Sequence, residues 1–109
     1  MAATYQASGT TVIAPPSTTW VLTMPSGVVQ GDALVLGANT NSDHTISSWP
    51  TTSYTAGSHQ WDPGDPQVSV AVYVVPASPP ASITVTFSTA QEGHLNWLHL
   101  RGVLTLLRG

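Results

Sequence analysis

The sequence predicts an all-β protein: an antiparallel β-sandwich of jelly-roll or immunoglobulin-like type, built as a single domain. Short runs rich in β-branched residues alternate apolar and polar positions, which is typical of half-buried strands. Proline and glycine, nine of each, interrupt these runs at short intervals. Strands at spacings of about 8–12 residues, separated by such turn signals, are typical of sandwiches and barrels. The length of 109 residues suits one domain.

The first third of the chain predicts an extended arm followed by strands. We expect the Pro-rich residues 1–17 to form an N-terminal arm, with a short strand at 10–14, and residues 18–109 to form the sandwich domain. In the stretch 18–24 one face is formed by Trp20, Leu22 and Met24. Residues 32–38 are apolar on both faces, so this strand should be central in a sheet.

Between residues 39 and 107 the sequence predicts further strands, separated by turns. Weak periodicity over residues 39–66 predicts a long excursion with short strands near 45–47 and 53–55. Residues 68–74 should bury a valine face, formed by Val68, Val70, Val72 and Val74. Residues 82–88 should direct Ile83, Val85 and Phe87 inward. The leucine-rich segment 94–107 is compatible with a helix or a strand, and Gly102 in its middle together with the neighbouring strands favours the strand. As a strand it has Leu98, Leu100, Leu104 and Leu106 on one face and Trp97, His99 and Arg101 on the other.

The scarcity of charge excludes several classes of partner. Charged residues make up 6% of the chain, there is no lysine, and the net charge is −3. With Arg101 and Arg108 as the cations, the chain is a poor candidate for binding nucleic acid or anionic lipid. It contains no cysteine, no apolar run of membrane-spanning length and no signal-peptide pattern, so we expect cytoplasmic synthesis.

The acidic stretch Asp62-Pro-Gly-Asp65 suggests either a calcium site or a tight turn. The turn is favoured, because calcium needs six to eight oxygen ligands and no suitable spacing exists. The four histidines show no metal-ligand spacing, and we expect them to be scattered surface or edge residues. Neither a nucleophile elbow nor a phosphate loop is present. The sequence therefore predicts no enzyme, no metal and no cofactor.

Three of the four tryptophans are the strongest candidates for contacts with a partner. Trp49 and Trp61 lie in the long excursion beside Tyr54. They either anchor a partner or a sugar ring, or close the open end of the sandwich. Trp97 and Arg101 share a strand face, which is either a second contact surface or is covered by the excursion. Trp20 is expected in the core.

A series of motifs resembles a small β-sandwich module of tailed-bacteriophage virion proteins, of the capsid decoration or minor tail type. It begins with "LTMPSGVVQGDALVLGA" at 22–38 and continues with "SSWPTTSYTAG", "VAVYVVPAS", "ITVTFST" and "HLRGV" in that order. In this resemblance Gly31 and Asp32 match the turn of the module, where Asp32 is expected to be a capping carboxylate. The module supplies no catalytic residues.

The resemblance implies a structural role in a virion. We expect a capsid decoration (cement) protein that binds the assembled shell of a tailed bacteriophage and stabilises it. Its partners would be the major capsid protein and other copies of itself, as a dimer or trimer, with contacts from Trp49, Tyr54, Trp61, Trp97 and Arg101. The alternative is a minor tail or host-adhesion module that binds cell-surface carbohydrate through the same aromatic residues.

Overall fold

The structure is a computed structural model that describes residues 4–102. In this part of the chain, segments with alternating apolar residues form β-strands, and there are six strands in all. The strands are β1 (Thr4–Thr23), β2 (Ala33–Thr40), β3 (Ile46–Ser48), β4 (Ser53–Gln60), β5 (Gln67–Val74) and β6 (Ser82–Arg101). No helix is present in this part of the chain, and so none that could span a membrane.

All six strands belong to one antiparallel sheet in the order β1-β6-β2-β5-β4. The long strand β6 organises this sheet, because β1 pairs along one of its edges and two other strands share the opposite edge. There β3 pairs with the first part of β6, and β2 pairs with residues 93–100. The all-β class, the antiparallel pairing and the central position of β2 are therefore confirmed.

The pairing of β1 with β6 is interrupted in the middle of both strands. Its register shifts between Ile13 and Ser17, a segment that contains Pro15 and Pro16, and again between Ser17 and Thr19. Proline has no amide hydrogen for the ladder, which explains why regular pairing stops here. From residue 4 onward the segment expected as an arm lies within β1, paired with residues 91–101 of β6.

One core cluster gathers apolar side chains from both parts of the interrupted strands. Trp20, Val85 and Phe87 come from the first part of β6 and its partner, while Leu36 and Leu95 come from the β2–β6 region. The rings of Trp20 and Phe87 lie 4.5 Å apart, centroid to centroid. The sheet must therefore curve over its own face. The inward positions expected for Trp20 and Phe87 are confirmed.

The prediction that β5 buries its valine face is wrong. Ser69, Ala71 and Tyr73 are the buried residues of this strand, whereas its valines at 68, 70, 72 and 74 are half-buried. A period of two shows which side chains share a face, but not which face is inward. On β6, Leu95 and His99 are buried, whereas the leucines at 98 and 100 are half-buried; Leu104 and Leu106 lie outside the described residues.

The acidic stretch forms the predicted turn. The amide of Asp65 donates a hydrogen bond of 3.0 Å to the carbonyl of Asp62, and Gly64 has a φ of +88°. A positive φ after proline is the geometry of a type II turn, which glycine adopts without steric cost. The long excursion contains β3 and β4, close to the two short strands expected there.

Candidate functional site

Two polar clusters are buried in this otherwise apolar sheet, and an open cleft adjoins the second. The first, here called the Asp32 cluster, consists of Asp32, His99 and Arg101. The second, here called the His44 network, consists of Thr40, His44, Gln67 and Ser69. Within residues 4–102 no group of three or more histidine, aspartate or glutamate side chains converges as a metal site would require.

The Asp32 cluster is centred on a carboxylate with four hydrogen-bond donors. Asp32 is 1% exposed and directly precedes β2. Its Oδ1 accepts a bond from Nε of Arg101 (2.9 Å), and its Oδ2 accepts from Nη2 of Arg101 (2.9 Å), Nε2 of His99 (2.8 Å) and the amide of Val29 (3.0 Å). Nη2 of Arg101 also donates to the carbonyl of Gly27 (3.0 Å). Both carboxylate oxygens are therefore satisfied in a buried position.

The surroundings of Asp32 keep it ionised. Burial raises its pKa, but the hydrogen bonds from Arg101, His99 and Val29 together with the positive charge of Arg101 outweigh that effect. The net result lowers the pKa of Asp32 from 3.8 to about 2. The cluster is a salt bridge that ties the turn before β2 to the end of β6. It has no nucleophile, and its carboxylate is buried and already bonded to four donors.

The His44 network ties the loop after β2 to β5. Nδ1 of His44 lies 2.6 Å from Oγ1 of Thr40, and Nε2 lies 2.7 Å from Oγ of Ser69. The hydroxyl of Thr40 donates to the carbonyl of Ser42 (2.6 Å), so it accepts from Nδ1. Nε2 therefore carries no hydrogen and accepts from the hydroxyl of Ser69. A further pair of bonds links the backbone of His44 to the side-chain amide of Gln67.

His44 is held in its neutral form. Its imidazole is 7% exposed and meets the ring of Phe87 edge to face at 5.3 Å. Burial lowers the pKa of His44 below its usual 6.5. Beside it Asp43 accepts bonds from the amide of Gly64 and the side chain of Gln60, and these bonds lower the pKa of Asp43. The loop after β2 is thus attached to β5 and to the 62–65 turn.

A cleft of about 330 Å³ opens beside the His44 network, between the segment 44–49 and the strands β4 and β5. Its lining includes one indole and several hydroxyl groups, contributed by Thr45, Trp49, Thr55, Ser58 and Ser69. This cleft, here called the His44 cleft, contains no residue with a formal charge once His44 is neutral.

The structure separates the predicted contact residues rather than bringing them together. Tyr54 and Trp61 are exposed, and Trp61, with 81% of its surface accessible, meets the edge of His59 at 4.8 Å between ring centroids. Trp49 and Trp97 are half-buried and pack against the core. Trp97 also covers Gly9, its partner across the β1–β6 pair.

Three other predicted residues lie in the salt bridge and its turn. Arg101 is partly exposed, but its guanidinium is bonded to Asp32. Asp32 and Gly31 occupy the turn before β2. There the amide of Asp32 donates to the carbonyl of Val29 (3.1 Å), and the amide of Gly31 donates to the carbonyl of Val75 (2.9 Å).

The histidine prediction is wrong for two of the four residues. His44 and His99 are buried and hydrogen-bonded, whereas His59 and His94 are exposed. A signal for His99 was present: it shares a strand face with Arg101, and a cationic face on a leucine-rich strand needs an acidic partner. No local signal marks His44, because its partners come from three separate segments of the chain.

Comparison with known proteins gives no relative to assign. No protein-family model matches the chain, and neither the curated proteins nor the solved structures contain a match.

Proposed function

We propose that the protein is a capsid decoration (cement) protein of a tailed bacteriophage, which binds the assembled shell and stabilises it. Its partners are the major capsid protein and further copies of itself, and its place is the outer surface of the virion after synthesis in the host cytoplasm. The motifs between residues 22 and 103 that resemble the virion module support this proposal.

We further propose that the curved sheet is a β-sandwich of jelly-roll or immunoglobulin-like type. The break in β1 near Pro15 and Pro16 supports two layers, because it divides the β1–β6 pair where the sheet must turn. The common core of Trp20, Phe87 and Leu36 supports it as well, because these residues come from opposite parts of the sheet. Such a sandwich leaves its outer edges and end loops for contacts with partners.

The observation that carries the proposed role is the outer edge of β1. No other strand within residues 4–102 pairs with this edge. Its first ten residues, 4–13, contain neither a charge nor a proline, although proteins commonly use both to prevent edge-to-edge pairing. Tyr5, Val12 and Val21 are exposed along the strand. An uncharged, unpaired edge of this length suits pairing with a strand of the shell or of a neighbouring copy.

Symmetry would turn this modest contact into firm attachment. A shell repeats one binding site many times. A copy that also touches its neighbours binds the shell more tightly, because being held there raises its effective concentration at the binding site. The low charge of the chain reduces the desolvation cost of packing copies side by side. These physical properties suit a protein whose function is attachment.

The copy number in virions tests the proposal directly. Quantitative mass spectrometry of purified particles, with a cryo-electron microscopy map, should find the protein in hundreds of copies over the head. A few copies confined to the tail would reject decoration.

Binding to expanded heads that lack the protein tests the edge itself. Val12→Lys should abolish co-sedimentation at micromolar protein, because it places an unpaired charge in the strand contact. Val29→Lys is the matched control: Val29 is 51% exposed, against 65% for Val12, but it lies in the turn before β2. Wild-type protein that does not sediment with the heads, or equal binding by both variants, would contradict the assignment.

A second candidate is a minor tail or host-adhesion module that binds cell-surface carbohydrate. The observation that favours it is the exposure of Trp61 and Tyr54, since exposed aromatic side chains are common in contact surfaces. Cell-wall binding that is lost in Trp61→Ala, with particles that assemble and resist heating normally, would favour this candidate over decoration.

A further inference from the structure

The His44 cleft combines an indole with several hydroxyl groups in one concave surface. One wall is the segment from His44 to Trp49, and the other is formed by β4 and β5. Three side-chain hydroxyls in its lining, those of Thr45, Thr55 and Ser58, make no hydrogen bond to another side chain or to the backbone of the described residues. Each can both donate and accept a hydrogen bond.

We propose that the His44 cleft binds a neutral saccharide, with the indole of Trp49 packing on a sugar ring and the hydroxyls of Thr55 and Ser58 bonding to sugar hydroxyls. This inference does not depend on the decoration role, because a protein on a virion or elsewhere can carry such a site. It also differs from the contact surface around Trp61, which lies outside the cleft.

The absence of charge from the lining decides the class of ligand. An anionic or cationic ligand would lose hydration in the cleft without gaining an opposite charge, which is costly. The His44 side chain does not supply one, because burial keeps it neutral. A neutral ligand rich in hydroxyl groups matches both the polar lining and the lack of charge.

The His44 network orients one polar group toward the ligand in advance. The hydroxyl hydrogen of Ser69 is directed to Nε2 of His44, so a lone pair of Ser69 Oγ is left to accept a bond in the cleft. Thr40 and Gln67 hold His44 in place through further hydrogen bonds. A site whose polar groups are already fixed loses less entropy on binding.

The size of the cleft limits the ligand. Its volume of about 330 Å³ is at the small end of the range for ligand sites. It accommodates a monosaccharide or one end unit of a longer glycan. Open, solvent-exposed sites of this kind bind single sugars weakly, with a Kd on the order of 0.1–10 mM.

Titration followed by nuclear magnetic resonance tests the proposal on the purified full chain. The probes are D-glucose, D-galactose, D-mannose, N-acetyl-D-glucosamine and L-rhamnose, each added to ¹⁵N-labelled protein. We expect at least one probe to cause saturable shifts of the Trp49 indole N–H and of amides in residues 44–46 and 55–58. If no probe causes saturable shifts there, the proposal is wrong.

Three variants separate this site from the exposed aromatic surface. Thr55→Val and Ser58→Ala remove one hydroxyl each at exposed positions outside the core, and each should raise the Kd about tenfold. Trp61→Ala is the control and should leave the Kd unchanged. Loss of binding in Trp61→Ala with no effect of the other two would overturn the assignment.

The charge of the ligand gives an independent check. D-glucuronate, which differs from D-glucose by a carboxylate, should bind more weakly than its neutral parent if glucose is among the ligands, and D-galacturonate should do so for galactose. Equal or tighter binding of the acid would contradict the inference from the uncharged lining. Failure of this site would leave the head-binding experiments with Val12→Lys unaffected.

Discussion

Replacing Asp32 by asparagine should destabilise the fold more than any other conservative change of an acidic residue. The change keeps the shape of the side chain but removes the charge that receives bonds from Arg101 and His99. One partner, His99, is 2% exposed, so its N–H would lose a charged acceptor in a place that water does not reach. Arg101 is partly exposed and can be solvated, which limits the cost.

The structure sets the size of this effect. Lowering the pKa of Asp32 from 3.8 to about 2 corresponds to about 2 kcal/mol of stability at neutral pH. Removing one member of a buried ion pair costs about 3–5 kcal/mol when both partners are buried, and less when one is solvated. We therefore expect Asp32→Asn to lower the free energy of unfolding by about 2–4 kcal/mol.

Urea denaturation at pH 7 measures this loss. With a slope of about 1.5 kcal/mol per molar urea, the midpoint should fall by about 1–3 M. Asp62→Asn is the matched control, because Asp62 is exposed in the 62–65 turn and should change the free energy of unfolding by less than about 0.5 kcal/mol.

The pH dependence identifies the charge as the cause. Because the pKa of Asp32 is lower in the folded chain, the unfolded chain binds more protons between pH 4 and 2, and the stabilisation is lost as pH falls through this range. The difference in stability between the wild-type protein and Asp32→Asn should therefore shrink from pH 5 toward pH 2. A loss no larger than that of Asp62→Asn, or a difference that stays constant with pH, would refute the reasoning.

Two further predictions concern backbone packing and His44. Gly93→Ala should lower the melting temperature sharply, because a Cβ there would lie 1.9 Å from the carbonyl oxygen of Asn39. Gly37→Ala is the control and should have little effect, because no atom lies closer than 4.0 Å to the position of its Cβ. Equal melting temperatures of the two variants would contradict the close approach at Gly93. Stability should also fall as pH drops below about 6.5, because the pKa of His44 is lowered in the fold and the unfolded chain takes up the proton first. In thermal melts at pH 7.5 and 5, His44→Gln should lose most of this dependence and His59→Gln should keep it, and the reverse result would exclude His44 as the cause.

The strands could be predicted because their alternation is local. Trp20 and Leu22 stand two residues apart, as do Ile83 and Val85, and in each pair both side chains lie on the buried face. The turn at Asp62–Asp65 could also be predicted, because proline followed by glycine favours one turn geometry whatever surrounds it. Such patterns depend on the backbone of a few consecutive residues.

Which face of β5 turns inward could not be predicted from such local patterns. Both faces of this strand carry residues that a core accepts, with valines on one and Ala71 and Tyr73 on the other. The face that carries Ser69, Ala71 and Tyr73 is the one turned toward the core, where Tyr73 joins Trp20 in the same cluster. Which face turns inward is set by the packing of other segments against β5, and the alternation of residues within the strand does not contain that information.

The amino-acid sequence was enough to predict the all-β class, most of the strands and turns, and the low charge of the chain. The folded chain was needed to show that Asp32, His99 and Arg101 form one salt bridge, and that His44, Trp49 and Ser58 line a single cleft. Antiparallel pairing joins residues as far apart as 32 and 101, and the pairing register, not the local pattern, sets which side chains meet.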